Sequence, residues 1–142
     1  MFEAQTEWIS PESFPDLKDH KYIAIDLETR DPNLKSRGSG ALISDGEIVG
    51  IAVAVEGWSG YYSFGHKEGN FFDETVVMRW IKEVCALPNV KLFHNAMYDV
   101  CWLKAYGVQI NGHIVDTMVM ASLVNENRFH YSLNSLSIDY LG

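Results

Sequence analysis

Acidic residues occur at three separate places where a hydrophobic stretch of this chain ends. Asp26 and Glu28 follow one such stretch, Asp99 lies just beyond a second, and Asp116 closes a third. Two carboxylates about 4 Å apart repel each other by roughly 4 kcal/mol at an effective dielectric constant of 20. A divalent cation between them removes this cost, and hard oxygen ligands suit Mg²⁺ or Mn²⁺. The pattern indicates metal-dependent chemistry on an anionic substrate.

Two spacings predict that three of these carboxylates converge. Asp26 and Glu28 are two residues apart, so on a strand they point to the same face. Asn95 and Asp99 are four apart and share one face of a helix. A lone D-x-E pattern is equally consistent with a solvated strand end. Together with N-x-x-x-D at a later junction, however, it predicts one metal pocket formed by Asp26, Glu28 and Asp99.

The polar residues beside these carboxylates have alternative interpretations. Asn95 can cap the helix that follows it and can also contact the substrate. We expect Asp116 to be the N-cap of a helix that begins at Thr117, and it can also support the metal-binding residues from behind. For His94 a packing role is favoured over metal ligation. Tyr98 and Trp102 are interpreted as core residues.

Hydrophobic periodicity predicts the elements that position these residues. The predicted architecture is α/β, a mixed sheet with helices on its faces, in which functional residues lie at the carboxyl ends of parallel strands. Its second and third strands are expected to form a hairpin. Asp73, Asn95 and Ser132 are predicted helix N-caps, and Gly107 a helix terminator. Strands are predicted at 21–28, 48–55, 61–64, 90–93 and 114–115, and helices at 74–86, 96–106, 117–124 and from 133 onward.

Residues 30–47 are predicted to form a long loop, because they are rich in turn-forming and basic residues. Arg30, Lys35 and Arg37 could hold a nucleic-acid strand near the metals, or the segment could be a solvated mobile loop. The domain division predicted from the sequence is an N-terminal lead-in at 1–20 and one domain at 21–142.

Composition limits the classes of function. The chain has 142 residues and a net charge of −8, whereas a protein that binds nucleic acid by broad phosphate neutralisation would be basic. An acidic nuclease must use metal ions and a few local cations instead. Cys85 and Cys101 form no C-x-x-C pair, so we expect free thiols rather than a zinc site. No signal peptide or membrane span is visible, which predicts a cytoplasmic protein without a membrane partner.

The acidic stretches resemble the motifs of the DEDD superfamily of 3′–5′ exonucleases, which have a ribonuclease-H-like fold. Residues 26–29 resemble the first exonuclease motif, residues 95–99 the second, and residues 116–118 a segment that follows it. The spacing and the stretch 48–53 are most similar to the proofreading domain of family A, Pol I-type DNA polymerases, bacterial or phage. Residues 132–142 resemble the next helix there, so the resemblance covers about residues 20–142.

The resemblance implies phosphodiester hydrolysis at DNA 3′ ends by two Mg²⁺ or Mn²⁺ ions. Asp26 would bridge both ions, Glu28 would hold the ion that activates water, and Asp99 would hold the second. The Thr29 backbone and Asn95 would position the terminal nucleotide. The implied partners are a single-stranded DNA 3′ end and a polymerase domain in a longer protein.

One feature of the family is missing from the sequence. A third motif, Y-x-x-x-D or H-x-x-x-D, follows the last helix in the family, and neither pattern occurs in these 142 residues. The expectation is therefore a domain truncated before that motif and its C-terminal helices. The alternative functions are a catalytically impaired nucleic-acid-binding or structural module of the same fold, or a ribonuclease-D-like 3′–5′ exoribonuclease. The sequence leaves the oligomeric state open.

Overall fold

A computed structural model describes residues 10–142 of the chain. Within this range five strands form one sheet in the order β3-β2-β1-β4-β5, and six helices connect or flank them. The elements are β1 (Tyr22–Arg30), α1 (Leu34–Arg37), α2 (Gly40–Ile43), β2 (Glu47–Val55), β3 (Trp58–Ser63), α3 (Glu74–Ala86), β4 (Val90–Phe93), α4 (Ala96–Ala105), β5 (Ile114–Asp116), α5 (Thr117–Val124) and α6 (Leu133–Leu141).

The sheet is mixed, as the sequence predicted. The strands β1, β2 and β3 are antiparallel neighbours, which confirms the hairpin, whereas β1, β4 and β5 are parallel. The pairing of β1 with β4 ends at Ala24 and Leu92. Beyond this point β1 pairs only with β2, and its other edge has no partner strand between residues 10 and 142. Asp26 was predicted at the end of a strand. This was wrong, because β1 runs on to Arg30 against β2, and Asp26 lies inside it at the point where β4 has ended.

Alternation along β1 separates the core from the acidic face. Ile23, Ile25 and Leu27 are buried, with 0%, 2% and 7% of their surface exposed, and they belong to one cluster with the apolar sides of α3 and α4. The side chains of Asp26 and Glu28, which alternate with them, are exposed. This confirms that the two carboxylates share a face, since residues two apart on a strand point the same way.

Local capping signals fix several helix ends where the sequence predicted them. Asp73 accepts a hydrogen bond from the Val76 amide, and Ser132 accepts one from the Ser135 amide. These caps satisfy amide groups that would otherwise lack partners in the first helical turn. Helix α4 ends at Ala105, one residue earlier than predicted, and Gly107 follows with a φ of 72° as a helix terminator does.

The predicted long loop at 30–47 is wrong. Arg30 still belongs to β1, β2 begins at Glu47, and the short helices α1 and α2 fill the segment between them. The Asp31 carboxylate accepts a hydrogen bond from the Gly40 amide, at 3.2 Å to Oδ1 and 3.1 Å to Oδ2. This contact across nine residues folds the segment back on itself. Local turn signals in the sequence do not predict it, because the two residues are far apart in the chain.

Residues 10–20 pack against the domain. Leu17 is 2% exposed, and the ring of Phe14 stacks on Tyr62 at 4.9 Å between centroids. The indole of Trp80 donates a hydrogen bond to the Pro15 carbonyl at 3.1 Å. The division of the chain at residue 20 stays a prediction, and residues 1–9 of the lead-in lie outside the described range.

Both cysteines are free, as predicted, with Cys85 buried in α3 and Cys101 half-buried in α4. In the described part of the chain, no helix combines the length and the apolar character that crossing a membrane requires.

Candidate active site

Asp99 is the buried carboxylate of the site. It lies in the first turn of α4 and is 4% exposed. The Leu27 backbone amide, on the edge of β1 that β4 no longer covers, favours the ionised form of Asp99. The Asp99 Oδ2 atom has no hydrogen-bond partner among the described residues. Burial, followed by repulsion from the nearby Asp26 carboxylate, raises the pKa of Asp99 to about 7, with Glu28 and Asp116 adding to the repulsion.

Asp26 and Glu28 face Asp99 from β1. Desolvation raises the pKa of Asp26 above its ordinary value, while the nearby His94 opposes the shift. Both carboxylates act electrostatically on Asp99, so the structure brings the three residues predicted as metal ligands into mutual range. Like charges this close are stable together only if one is protonated or a cation is bound.

The chemistry of these residues suits a divalent cation. Three carboxylates supply hard oxygen ligands, and a buried oxygen without a partner is an unusual feature that bound metal would explain. Among residues 10–142, however, no group of three or more His, Cys, Asp or Glu side chains is arranged so that it could already hold a metal ion. Asp26 and Glu28 are exposed and can change rotamer, whereas Asp99 is fixed by burial.

Asp116 caps two helices instead of one. Its side chain accepts from the Met118 and Val119 amides of α5, as predicted for an N-cap. It also accepts from the Asn95 amide at 3.1 Å and from the Ala96 amide at 2.8 Å, at the start of α4. Desolvation would raise the pKa of Asp116, but these four amides outweigh it and lower the pKa. The carboxylate therefore joins the two strand-to-helix junctions beside Asp99.

Asn95 does not cap α4 through its side chain, so that part of the prediction was wrong. Its backbone is left-handed, with φ 66° and ψ 58°, and its side chain makes no capping hydrogen bond. Asp116 takes over the capping role from a different strand. Because Asn95 precedes α4 and is exposed, its amide side chain remains at the site edge as a candidate substrate contact.

A hydroxyl network that the sequence did not reveal adjoins Thr29. The Tyr98 hydroxyl lies 2.7 Å from Thr29 Oγ1 and donates a hydrogen bond to Asp31 Oδ2 at 3.0 Å. Tyr98 was predicted as a core residue; it is half-buried and packs against the core, and its hydroxyl also joins α4 to the end of β1. Trp102, in contrast, is 2% exposed and confirms the core prediction. The one sequence signal for a role of Tyr98 at the site is its position directly before Asp99.

His94 uses both ring nitrogens inside the protein. Nδ1 lies 2.9 Å from Thr117 Oγ1, and Nε2 lies 2.7 Å from the Tyr131 carbonyl oxygen. These contacts agree with the predicted packing role and leave neither nitrogen directed at a metal. Two of the three basic residues of the predicted loop are also engaged, since Arg30 pairs with Glu47 and Arg37 lies 3.9 Å from Asp45, whereas Lys35 is exposed.

A groove of about 530 Å³ runs along the sheet face that carries Asp26. Small and apolar side chains form most of its floor, and Tyr61 and His94 lie along it with Asp26. The floor includes residues that alternate along their strands with buried core residues, namely Ala24, Ala52, Ala54 and Leu92. Thr117 and Leu133 line the side of the groove. Asp26 therefore borders an open cleft rather than a closed core.

Comparison with known proteins agrees with this geometry. The sequence model of a family described as 3′–5′ exonuclease, the exonuclease domain of A-type DNA polymerases, matches residues 4–142. A DNA-directed DNA polymerase of Pseudomonas phage M6 is 27% identical over an alignment of 139 residues, and the match covers 93% of this chain and 21% of that protein. DNA polymerase DpoZ of Salmonella phage PMBT28 is 28% identical over 130 residues, 90% of this chain and 18% of that protein.

The fold also matches solved structures. Brucella melitensis NrnC with bound Mg²⁺ superposes with a TM-score of 0.63 at 16% sequence identity, covering 89% of this chain and 57% of that one. The chain spans about a fifth of the length of the polymerases it matches. Because the family model covers nearly all of the sequence, this chain belongs to the 3′–5′ exonuclease domains of A-type DNA polymerases.

Proposed function

We propose that this chain hydrolyses phosphodiester bonds at DNA 3′ ends with two divalent metal ions, and that it proofreads for a polymerase domain in a longer protein. Asp26, Glu28 and Asp99 are the proposed metal ligands and catalytic residues. The DNA substrate is supported by the phage relatives, whose names describe DNA polymerases.

The observation that carries the proposal is the state of Asp99. A carboxylate that is 4% exposed, has one oxygen without a partner and faces two further carboxylates is poorly stabilised by the protein alone. A divalent cation supplies the missing positive charge, and Mg²⁺ in the NrnC structure is in accord with such a site in this fold. Asp99 would hold such a cation in its ionised form, because a carboxylate ligand must be deprotonated.

The bound ions would supply activation of water and neutralisation of the leaving 3′ oxygen. The chain itself supplies position. Asp99 is buried in the first turn of α4, so it would give the site a fixed side to which the exposed Asp26 and Glu28 side chains could adjust. Thr29 is held by Tyr98, and we propose that its backbone and the exposed Asn95 amide orient the terminal nucleotide.

The test compares wild-type protein with Asp26→Ala on a DNA oligonucleotide with a single-stranded 3′ end, in Mn²⁺. Stepwise shortening by the wild type and its loss in Asp26→Ala is the expected result, because Asp26 would contact both ions. Glu56→Ala is the matched control, since Glu56 is an exposed acid in the turn between β2 and β3.

Two other functions are outcomes of the same test. An RNA oligonucleotide of the same sequence distinguishes a ribonuclease-D-like enzyme, for which RNA would be shortened faster than DNA. Binding of Mn²⁺ and oligonucleotide without shortening would indicate a catalytically impaired module. That outcome, or equal cleavage by wild type and Asp26→Ala, would contradict the proposed activity.

A further inference from the structure

Tyr61 lies on the acidic face of the sheet, two strands away from Asp26. Asp26 pairs with Ala52 on β2, and Ala52 pairs with Tyr61 on β3, so the three residues form a row across the sheet. Paired residues on neighbouring strands point to the same face. Tyr61 and Asp26 both line the groove, which agrees with this placement.

Gly50 makes room for the Tyr61 hydroxyl to approach Glu28. Gly50 pairs directly with Glu28, and a Cβ atom at Gly50 would overlap the Tyr61 hydroxyl oxygen. The phenol therefore lies diagonally over the Gly50 backbone, toward the strand that carries the carboxylates. Burial, then the Glu28 and Asp26 charges, raise the pKa of Tyr61 to about 12, so the phenol keeps its proton beside them.

His66 orients the phenol from the other side. Its Nε2 atom and the Tyr61 hydroxyl form a hydrogen bond, and the two rings meet at 65° with 6.0 Å between centroids. The favourable polarity has Nε2–H donating to the phenol oxygen, because the phenol proton then points toward the negative charges.

The loop that holds His66 is itself fixed. The Asn70 side chain accepts from the His66 amide at 2.8 Å and donates to the His66 carbonyl. Arg30 donates to the Gly65 carbonyl at 2.7 Å, which ties the loop to the end of β1. The phenol is thus supported by a rigid set of contacts, whereas Glu28 is exposed and has three rotatable bonds.

From this geometry we propose that Tyr61, backed by His66, is a positioning residue that restrains the Glu28 carboxylate for metal binding. The inference rests on the proposed function and adds a residue to its site. Carboxylates that bind metals are commonly hydrogen-bonded by a neighbouring group, and loss of that group typically lowers metal affinity or activity by about 10- to 100-fold. Tyr61 acts through Glu28 and does not itself bind the nucleotide.

The test is Tyr61→Phe, which removes the hydroxyl and keeps the ring. We expect Mn²⁺ affinity, measured by calorimetry without DNA, to fall by about tenfold, with a similar fall in kcat and an unchanged KM. Tyr62→Phe is the matched control, because Tyr62 is the next residue on β3, faces the core and donates to the Ser13 carbonyl at 2.7 Å. It should alter stability and leave Mn²⁺ affinity unchanged.

Two further variants remove the same contact by other routes. Gly50→Ala should displace the phenol and reproduce the loss, and His66→Ala should do so without altering the sheet, which protects the test if Gly50→Ala does not fold. Wild-type Mn²⁺ affinity in both Tyr61→Phe and His66→Ala would overturn the inference. If Asp26→Ala binds Mn²⁺ as wild type does, or wild type binds none, the proposed function fails and the inference with it.

Discussion

Asp99 shows how one residue's surroundings define the chemistry of the site. Asp99 is buried because it lies in the first turn of α4, and it is repelled by two carboxylates on β1, Asp26 and Glu28. The sequence predicted that these three acids meet, because the spacing of Asp26 and Glu28 and the position of Asp99 are local patterns. It did not predict that Asp99 would be the buried member, since burial depends on where β4 ends relative to β1.

The raised pKa of Asp99 predicts how stability depends on pH. Its pKa is about 7 in the folded protein against an ordinary value of 3.8, so between these values the folded state holds a proton that the unfolded state has lost. The contribution of Asp99 therefore lowers stability as pH rises from about 4 to about 7. We expect Asp99→Asn, which avoids the buried charge, to be increasingly more stable than wild type toward pH 8.

Thermal unfolding followed by circular dichroism at pH 5, 6, 7 and 8, with EDTA present, measures this difference. Asparagine retains an oxygen that can accept from the Leu27 amide, so the comparison isolates the charge. A stability gap between Asp99→Asn and wild type that stays constant would mean that the pKa of Asp99 is unshifted in the folded protein, and a gap that shrinks as pH rises would mean that it is lowered; either result would contradict the prediction.

At the scale of elements, local signals were enough for several helix ends and insufficient for contacts between segments. Helix α3 begins after Asp73 and α5 after Asp116, as predicted, because an N-cap involves only neighbouring residues. The segment between β1 and β2 was missed, since the Asp31 carboxylate holds Gly40 across nine residues. Tyr61 was missed for a related reason, because strand pairing brings it into the row with Asp26.

The double cap at Asp116 predicts an unusually large cost for its removal. Loss of one N-cap typically costs about 0.5–2 kcal/mol, and Asp116→Ala removes the side-chain acceptor for amides of both α4 and α5. We expect urea unfolding to show a loss of about 2 kcal/mol or more. Asp73→Ala, which removes a single cap from α3, should cost about 1 kcal/mol. Equal losses in the two variants would mean that the contact with α4 contributes little.

At the scale of the whole molecule, the sheet has two different faces. One face is packed against α3 and α4, and its core extends to the segment before β1 through Phe14 and Leu17. The other face carries Asp26, Glu28 and the groove. The sequence predicted the α/β class and the mixed sheet, because alternating strands and helices follow from periodicity. The packing of residues 10–20 was not predicted, since this segment lacks a periodic pattern.

Phe14 provides a test of how much this leading segment stabilises the domain. Its ring contacts Tyr62, Phe72 and Trp80 at centroid distances of 4.9, 5.8 and 5.5 Å. Because Phe14 is only half-buried, we expect Phe14→Ala to lower the free energy of unfolding by about 2–3 kcal/mol in urea titration, slightly below the range for full burial. Phe129→Ala is the control, since Phe129 is 95% exposed. Matching stabilities for both variants would contradict a structural role for the segment.

The alternation of buried and exposed side chains along β1 fixes the number of residues that this strand must have. Core residues and carboxylates alternate from Ile23 to Glu28, with opposite facing at each step, before the register of β1 against β2 shifts between Glu28 and Thr29. Deleting or inserting one residue before Asp26 would turn both acids toward the hydrophobic interior and expose Ile25 and Leu27. Folding and catalysis would fail together. We therefore expect β1 to tolerate substitutions of its side chains but no change in its number of residues.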